Sequence, residues 1–184
     1  AIESLLSNLR NPFSDAYALH AIELVVANLP RCLERPDDLA ARGQMLIAAA
    51  LAGAAFSNAM VNLNHALAHA LGARFGVHHG TANAIFLPHT VRFLADAAAD
   101  RLALAARAMG IKEASEERAA LKVADFLEKF INDIGLAERL GHFGVKEKDL
   151  SGLAELVLGD GSIVYSPKPV FDTDQLVGLM KQAL

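Results

Sequence analysis

Apolar residues recur along this chain at intervals of three and four, and no stretch alternates apolar with polar long enough to require a strand. Ile2, Leu5, Leu6 and Leu9 line one side of a short predicted helix over residues 1–10. Asn11-Pro12 ends it, because a residue before proline is pushed out of the α region. Ser14 then caps a second helix, with Asp15 at its positive end, and Leu19, Ile22, Val26 and Leu29 mark a buried face until Pro30 interrupts. A long helix follows over 39–58, with Gly43, Gly53 and Ser57 among many alanines. Small side chains permit close backbone approach, so this helix is expected to be surrounded on most sides. Residues 60–71 continue as a helix or a kinked extension with Gly72 as C-cap, 73–80 form a loop, and 81–87 give one or two turns ended or bent at Pro88. Further helices are predicted over 98–109, 115–134, 147–158 and 173–184, the second opened by Ser115 and the last by Asp172 or Thr173. The one strand candidate, 162–165, sits in a loop-like stretch from Asp160 to Pro169. The pattern predicts one all-α, multi-helical bundle over residues 1–184, without repeats or low-complexity tracts.

Composition sharpens that picture. The chain is 53% hydrophobic with a net charge of −4, its mean hydropathy is +0.30, and its pI is about 6.0. Such apolar richness reflects either an alanine-rich helical core or a surface meant to face a partner, and the two are compatible. Scattered Lys and Arg under a negative balance argue against nucleic acid. Cys32 stands alone, which excludes an internal disulfide and points to a reducing, cytoplasmic compartment. Residues 45–56 are the strongest membrane candidate, but twelve apolar or small residues fall short of a span, so a buried core helix and no membrane partner are expected. The chain opens at Ala1, already inside a helical pattern, as part of a longer protein would.

Five of the seven histidines fall between residues 65 and 89. His65 and His69 are four apart and so project from one helix face. His79 follows across a glycine-containing loop that allows the chain to fold back to the same point. Imidazole suits iron, zinc and similar divalent ions, although paired histidines in an alanine-rich helix also serve as hydrogen-bonded core or surface groups. No Asp or Glu lies between Val61 and His89, so a carboxylate ligand must come from elsewhere. That lack also disfavours a metal-dependent hydrolase, whereas a non-catalytic interaction domain leaves the spacing of His65, His69 and His79 unexplained.

The longer pattern is more specific. Ala54-Ala55-Phe56-Ser57-Asn58-Ala59, His65-Ala66-Leu67-Ala68-His69-Ala70-Leu71-Gly72, His79-Gly80, Asn83-Ala84 and Leu87-Pro88-His89 together resemble the signature of the iron-containing alcohol dehydrogenase family. Ala1-Ile2-Glu3 looks like the tail of that family's Asp-x-x-x-His-Ala-x-Glu stretch, and Ser166-Pro167-Lys168-Pro169 resembles its Asn-Pro-Arg-Pro-like loop. The resemblance implies the helical C-terminal domain of a dehydroquinate synthase-like fold, partnered by an N-terminal dinucleotide-binding domain. It implies Fe(II), with Zn(II) a possible substitute, held by one Asp and three His. His65 and His79 match the second and third histidine ligands, and the Asp and first His would precede Ala1. His69 matches a position near the nicotinamide and substrate, with a role in proton relay. NAD or NADP would be bound mainly by the other domain, the substrate would be a small alcohol or carbonyl compound, and a homo-oligomer is possible.

Departures from the pattern matter. His78 stands where proline is common before the third ligand and competes with His79, although spacing favours His79. Val61-Asn62-Leu63-Asn64 replaces a Gly-rich approach, adding two amides that face either a polar substrate or solvent. Leu94 replaces a usual Asn. Maleylacetate reductases, a branch lacking the usual metal site, tend to lose the His-Gly pair kept at His79-Gly80. His89 reads as structural, and His20 and His142 as surface or capping groups. Without a G-x-G-x-x-G fingerprint, the 184 residues alone are expected to be inactive and to hold iron weakly.

Overall fold

A computed structural model describes all 184 residues. The elements are α1 (Ile2–Leu6), α2 (Pro12–Glu34), α3 (Leu39–Ala59), α4 (Leu63–Phe75), α5 (His79–Leu94), α6 (Ala99–Ala108), α7 (Glu116–Asp133), α8 (Leu150–Leu158) and α9 (Thr173–Gln182). Three 3₁₀ turns complete the chain and there is no strand, so the architecture is all-α. The strand candidate is one of these turns, Gly161–Tyr165, started by Asp160, whose side chain accepts the Ser162 N–H.

Helix ends follow local chemistry. The N-cap of α2 is Asn11 rather than Ser14: its side chain accepts from the N–H groups of Phe13 and Ser14, and the Ser14 hydroxyl accepts from Asn11 N. Proline at the first helical position has no N–H to waste there. Pro30 and Pro88 each lie inside a helix that continues past them. Each forfeits one backbone bond, a local penalty outweighed by tertiary packing on both sides of the break. The first helix stops at Leu6, four residues short of the predicted end. Ser7 turns extended there and its hydroxyl donates to the Ala59 carbonyl, which pins α1 to the end of α3.

The helix pair α2–α3 forms one layer, and α1 packs against both helices and against α6. In the other layer α4 meets α5 and α8, α5 meets α7 and α9, and α6 meets α7. Leu63, Leu67 and Leu71 on α4, Phe86 and Leu94 on α5, and Leu102 on α6 belong to the buried core.

The expectation for α3 is overturned. Only Ala41, Ala48, Ala55 and Ala59 are buried, a narrow stripe, while Leu39 is 80% and Leu46 74% exposed, with Ile47 and Phe56 also open. A helix apolar all round carries no amphipathic contrast to say which side is covered. Its small residues specify close approach along one seam only. At 21 residues it is also long and apolar enough, by length and composition, to cross a bilayer; in this fold it is one arm of a packed hairpin.

Candidate metal centre

Three imidazoles gather at one place, carried by two helices. His65 and His69 lie one turn apart on α4, as their spacing requires. The end of α4 comes at Gly76 rather than Gly72: Gly76 takes a left-handed φ of 67° and its N–H bonds the Gly72 carbonyl. That turn lets α5 begin at His79 and double back beside α4. Ring centres lie 5.2 Å apart for His65 and His79, 5.6 Å for His69 and His79, and 5.8 Å for His65 and His69. His78 is the N-cap residue of α5, with its ring lying over Gly80 outside this cluster. Of the two neighbours, the fold brings in His79.

The carboxylate missing around the histidines comes from Glu3, 62 residues before His65 in the sequence. Glu3 is 5% exposed. Its Oε1 accepts the backbone N–H groups of Asn62 at 3.0 Å and Asn64 at 2.9 Å, at the start of α4. Its Oε2 meets the His65 ring at Nδ1 in a short contact. A carboxylate at a helix N-terminus satisfies orphan donors and the positive end of the dipole together. Here it also accepts a hydrogen bond from the Nδ1–H of a histidine, which favours that tautomer and leaves Nε2 as the basic nitrogen.

Of the two amides flagged in sequence, Asn62 faces neither cavity nor solvent, whereas Asn64 is buried but lines the cavity beside the histidines. Asn62 is buried and its amide donates to the Glu3 carbonyl at 2.8 Å. Buried Asn64 donates to the Asn83 side-chain oxygen at 2.8 Å and accepts from the Thr90 hydroxyl at 3.2 Å. Asn83 in turn donates to the His79 carbonyl at 3.0 Å and approaches His79 Nε2 at 3.2 Å. This amide chain ties α4 to α5 directly behind the histidines.

Although His79 is exposed at the surface, partial desolvation, followed by the neighbouring imidazoles of His65, His69 and His78, holds its pKa below the ordinary value. His79 is therefore neutral at physiological pH, with a lone pair to offer. His69 is exposed like His79 but lies outside the cavity lining, its Nδ1 2.8 Å from an Asp160 carboxylate oxygen. The other histidines stand apart. His89 is held low in pKa chiefly by burial, exposed His20 pairs with Glu23, and His142 accepts from Arg139 N beside Glu138.

His65 and His79 face a cavity of about 380 Å³. Asn64 and Asn83 complete its polar end, while Ile22, Val26, Leu87, Phe126 and Phe130 make an apolar wall. Two imidazoles sharing one ion at about 2.1 Å and near-tetrahedral angle have ring centres roughly 5 Å apart. The spacing of His65 and His79 fits that pair. No three His, Cys, Asp or Glu side chains form a fuller ligand group, so these residues suit half of a coordination sphere.

Comparison with known proteins agrees with this all-α fold. The chain is 36% identical over 185 aligned residues to a 1,3-propanediol dehydrogenase of Klebsiella pneumoniae, covering 100% of the chain and 48% of that protein. The crystal structure of a 1,3-propanediol oxidoreductase superposes with a TM-score of 0.95 at 35% identity, over 100% of this chain and 48% of the other. A maleylacetate reductase from Rhizobium sp. strain MTP-10005 superposes at 0.84 with 27% identity, over 100% of this chain and 49% of that one. The chain thus spans about half the length of the curated relatives it matches. Residues 1–184 match throughout the profile described as "Fe-containing alcohol dehydrogenase family, C-terminal", and the chain belongs to that family.

Proposed function

We propose that this chain is the metal- and substrate-binding half of an NAD(P)-dependent oxidoreductase that interconverts an alcohol and an aldehyde or ketone. One observation carries the reading: Glu3 orients His65 beside a neutral His79 at the polar end of an apolar-walled cavity. Kinship with proteins named for 1,3-propanediol supports a small alcohol as substrate.

His65 and His79 would hold Fe(II), or Zn(II) in its place, completed by an aspartate and a third histidine that the family pattern puts ahead of Ala1. When bound, the ion supplies Lewis acidity to the alcohol or carbonyl oxygen. The chain's own residues do the rest. Glu3 holds His65 in one tautomer and heading. Ile22, Val26, Phe126 and Phe130 exclude water and align the carbon chain of the substrate. His69, outside the cavity lining, holds or passes the hydroxyl proton. A separate N-terminal domain would bind most of the NAD or NADP, so the 184 residues alone are inactive and bind iron weakly. Cys32 as the only cysteine suits a cytoplasmic setting.

The test is nicotinamide-linked turnover by the full-length protein across a panel of alcohols, with and without added Fe(II) or Zn(II). His65→Ala should lose bound metal and turnover together. Unchanged metal content and rate in that variant would remove His65 from the centre. The overlay with a maleylacetate reductase favours a second reading, a metal-free reductase of the same family. Reduction of maleylacetate that survives exhaustive chelation would establish it in place of the first.

A further inference from the structure

His69 is exposed, as His79 is, with its side chain 45% open, yet it is not a loose surface group. Its Nδ1 lies 2.8 Å from Asp160 Oδ2, across 91 residues of sequence. We propose that Asp160 is a positioning residue for His69, fixing the ring in the tautomer protonated at Nδ1 and presenting Nε2 as its basic nitrogen. The catalytic consequence rests on the dehydrogenase reading above; the tautomer does not.

Asp160 is built into the fold, not swept into place by chance. Its other oxygen, Oδ1, accepts from Ser162 N at 2.8 Å and from the Ser162 hydroxyl at 2.5 Å. Those bonds start the 3₁₀ turn Gly161–Tyr165, which packs on α4, the helix that carries His69. On its other side Asp160 follows α8, which also packs on α4. Two contacts with one helix therefore set the distance between carboxylate and ring. With its side chain only 20% exposed, Asp160 meets little competition from water. Burial opposes its ionisation, but the Ser162 bonds and the His69 ring outweigh that and hold the carboxyl below its ordinary pKa.

The arrangement repeats the Glu3–His65 pair one helical turn away. Each α4 histidine gives Nδ1 to a carboxylate from a distant segment, whereas His79 meets only an amide. A half-exposed ion pair adds little stability. Choosing the tautomer of a proton-transfer histidine has a much larger effect, because a ring protonated on the wrong nitrogen has no lone pair to offer. His69 Nε2 has no partner within the protein, which leaves it available to a hydroxyl.

Asp160→Asn separates these roles. Asparagine keeps an oxygen for the two Ser162 bonds but turns an N–H donor toward His69, forcing Nδ1 to accept and the ring proton to Nε2. Asp160→Glu keeps an acceptor at the ring. Two-bond ¹H–¹⁵N correlation spectra of the full-length protein, labelled at histidine and recorded at a pH where the rings are neutral, should show His69 protonated at Nδ1. The pattern should be reversed in Asp160→Asn and kept in Asp160→Glu. In the full-length protein, Asp160→Asn should lower kcat roughly 10- to 100-fold with KM nearly unchanged, and Asp160→Glu should recover part of it. An unchanged His69 pattern in a folded Asp160→Asn protein overturns the assignment, as does a reversed pattern with unchanged kcat. A reversed pattern in a protein whose wild type turns over no alcohol upholds the Asp160–His69 pair and sinks the dehydrogenase reading instead.

Discussion

Glu3 and His65 stand 62 positions apart in sequence, yet one carboxylate of the former both opens α4 and grips the ring of the latter. Glu3→Gln keeps its oxygen on the Asn62 and Asn64 N–H groups only by turning an N–H donor toward the Nδ1–H of His65. A buried donor left unmatched costs about 1–3 kcal/mol, and loss of an orienting partner lowers metal affinity roughly 10- to 100-fold. Thermal melts and metal titration of the full-length variant should therefore both shift. A variant that melts and loads like the wild type would remove Glu3 from both roles.

Met60 is the only non-glycine residue with a positive φ, at 66° with ψ 169°, in a region that only glycine enters freely. It links α3 to α4 and is partly exposed. Met60→Gly relieves about 1–3 kcal/mol of backbone strain against roughly 0.5–1 kcal/mol of added unfolded-state entropy. The expected result is a melting temperature higher by a few degrees, at about 2–4 °C per kcal/mol for a chain of this size. A lower value would mean that the methionine side chain contributes more than its backbone costs.

Glu113 lies just ahead of α7, bonded to Lys122 and to the N–H groups of Ser115 and Ala114, with Arg118 beside it. The Lys122 bond above all lowers its pKa from the ordinary 4.5 to about 2. A carboxyl whose folded value is depressed adds stability that is complete above its unfolded pKa and fades as pH falls through the folded one. Glu113→Gln should hence melt lower than the wild type at pH 7, with the gap closing between pH 4.5 and pH 2. A gap that stays constant across that window would show that Glu113 contributes through shape rather than charge.

The two sides of α3 predict opposite responses. Ala48 is fully buried, so Ala48→Leu forces methylenes into a close seam and should cost about 1–3 kcal/mol. Leu46 points outward, and Leu46→Gln should change stability by less than about 0.5 kcal/mol. Chemical denaturation of the two variants decides between this one-sided packing and the all-round burial that alanine content suggests.

Periodicity made the helices legible, and the cap at Ser115 is where sequence placed it, with its side chain accepting from Arg118 N. Boundaries at Pro30 and Pro88 were not, because local proline rules compete with packing that a linear string does not display. The convergence of His65, His69 and His79 followed from spacing together with family resemblance. Their carboxylate partners did not, since Glu3 and Asp160 lie far away in sequence and only the folded topology joins them to α4. Asn64 does reach the cavity, but Asn62 is tied into the scaffold, its side chain bonded to the Glu3 carbonyl and to the Leu63 N–H at the start of α4.

The double duty of Glu3 makes the first turn of α4 a remote gauge of the site. Amide hydrogens of Asn62 and Asn64 exchange with solvent only when that turn opens, and opening it releases the His65 ring. Whatever occupies the imidazole must then slow exchange at two peptide groups it never touches, so deuterium uptake there can report loading in a sample with no enzymatic assay.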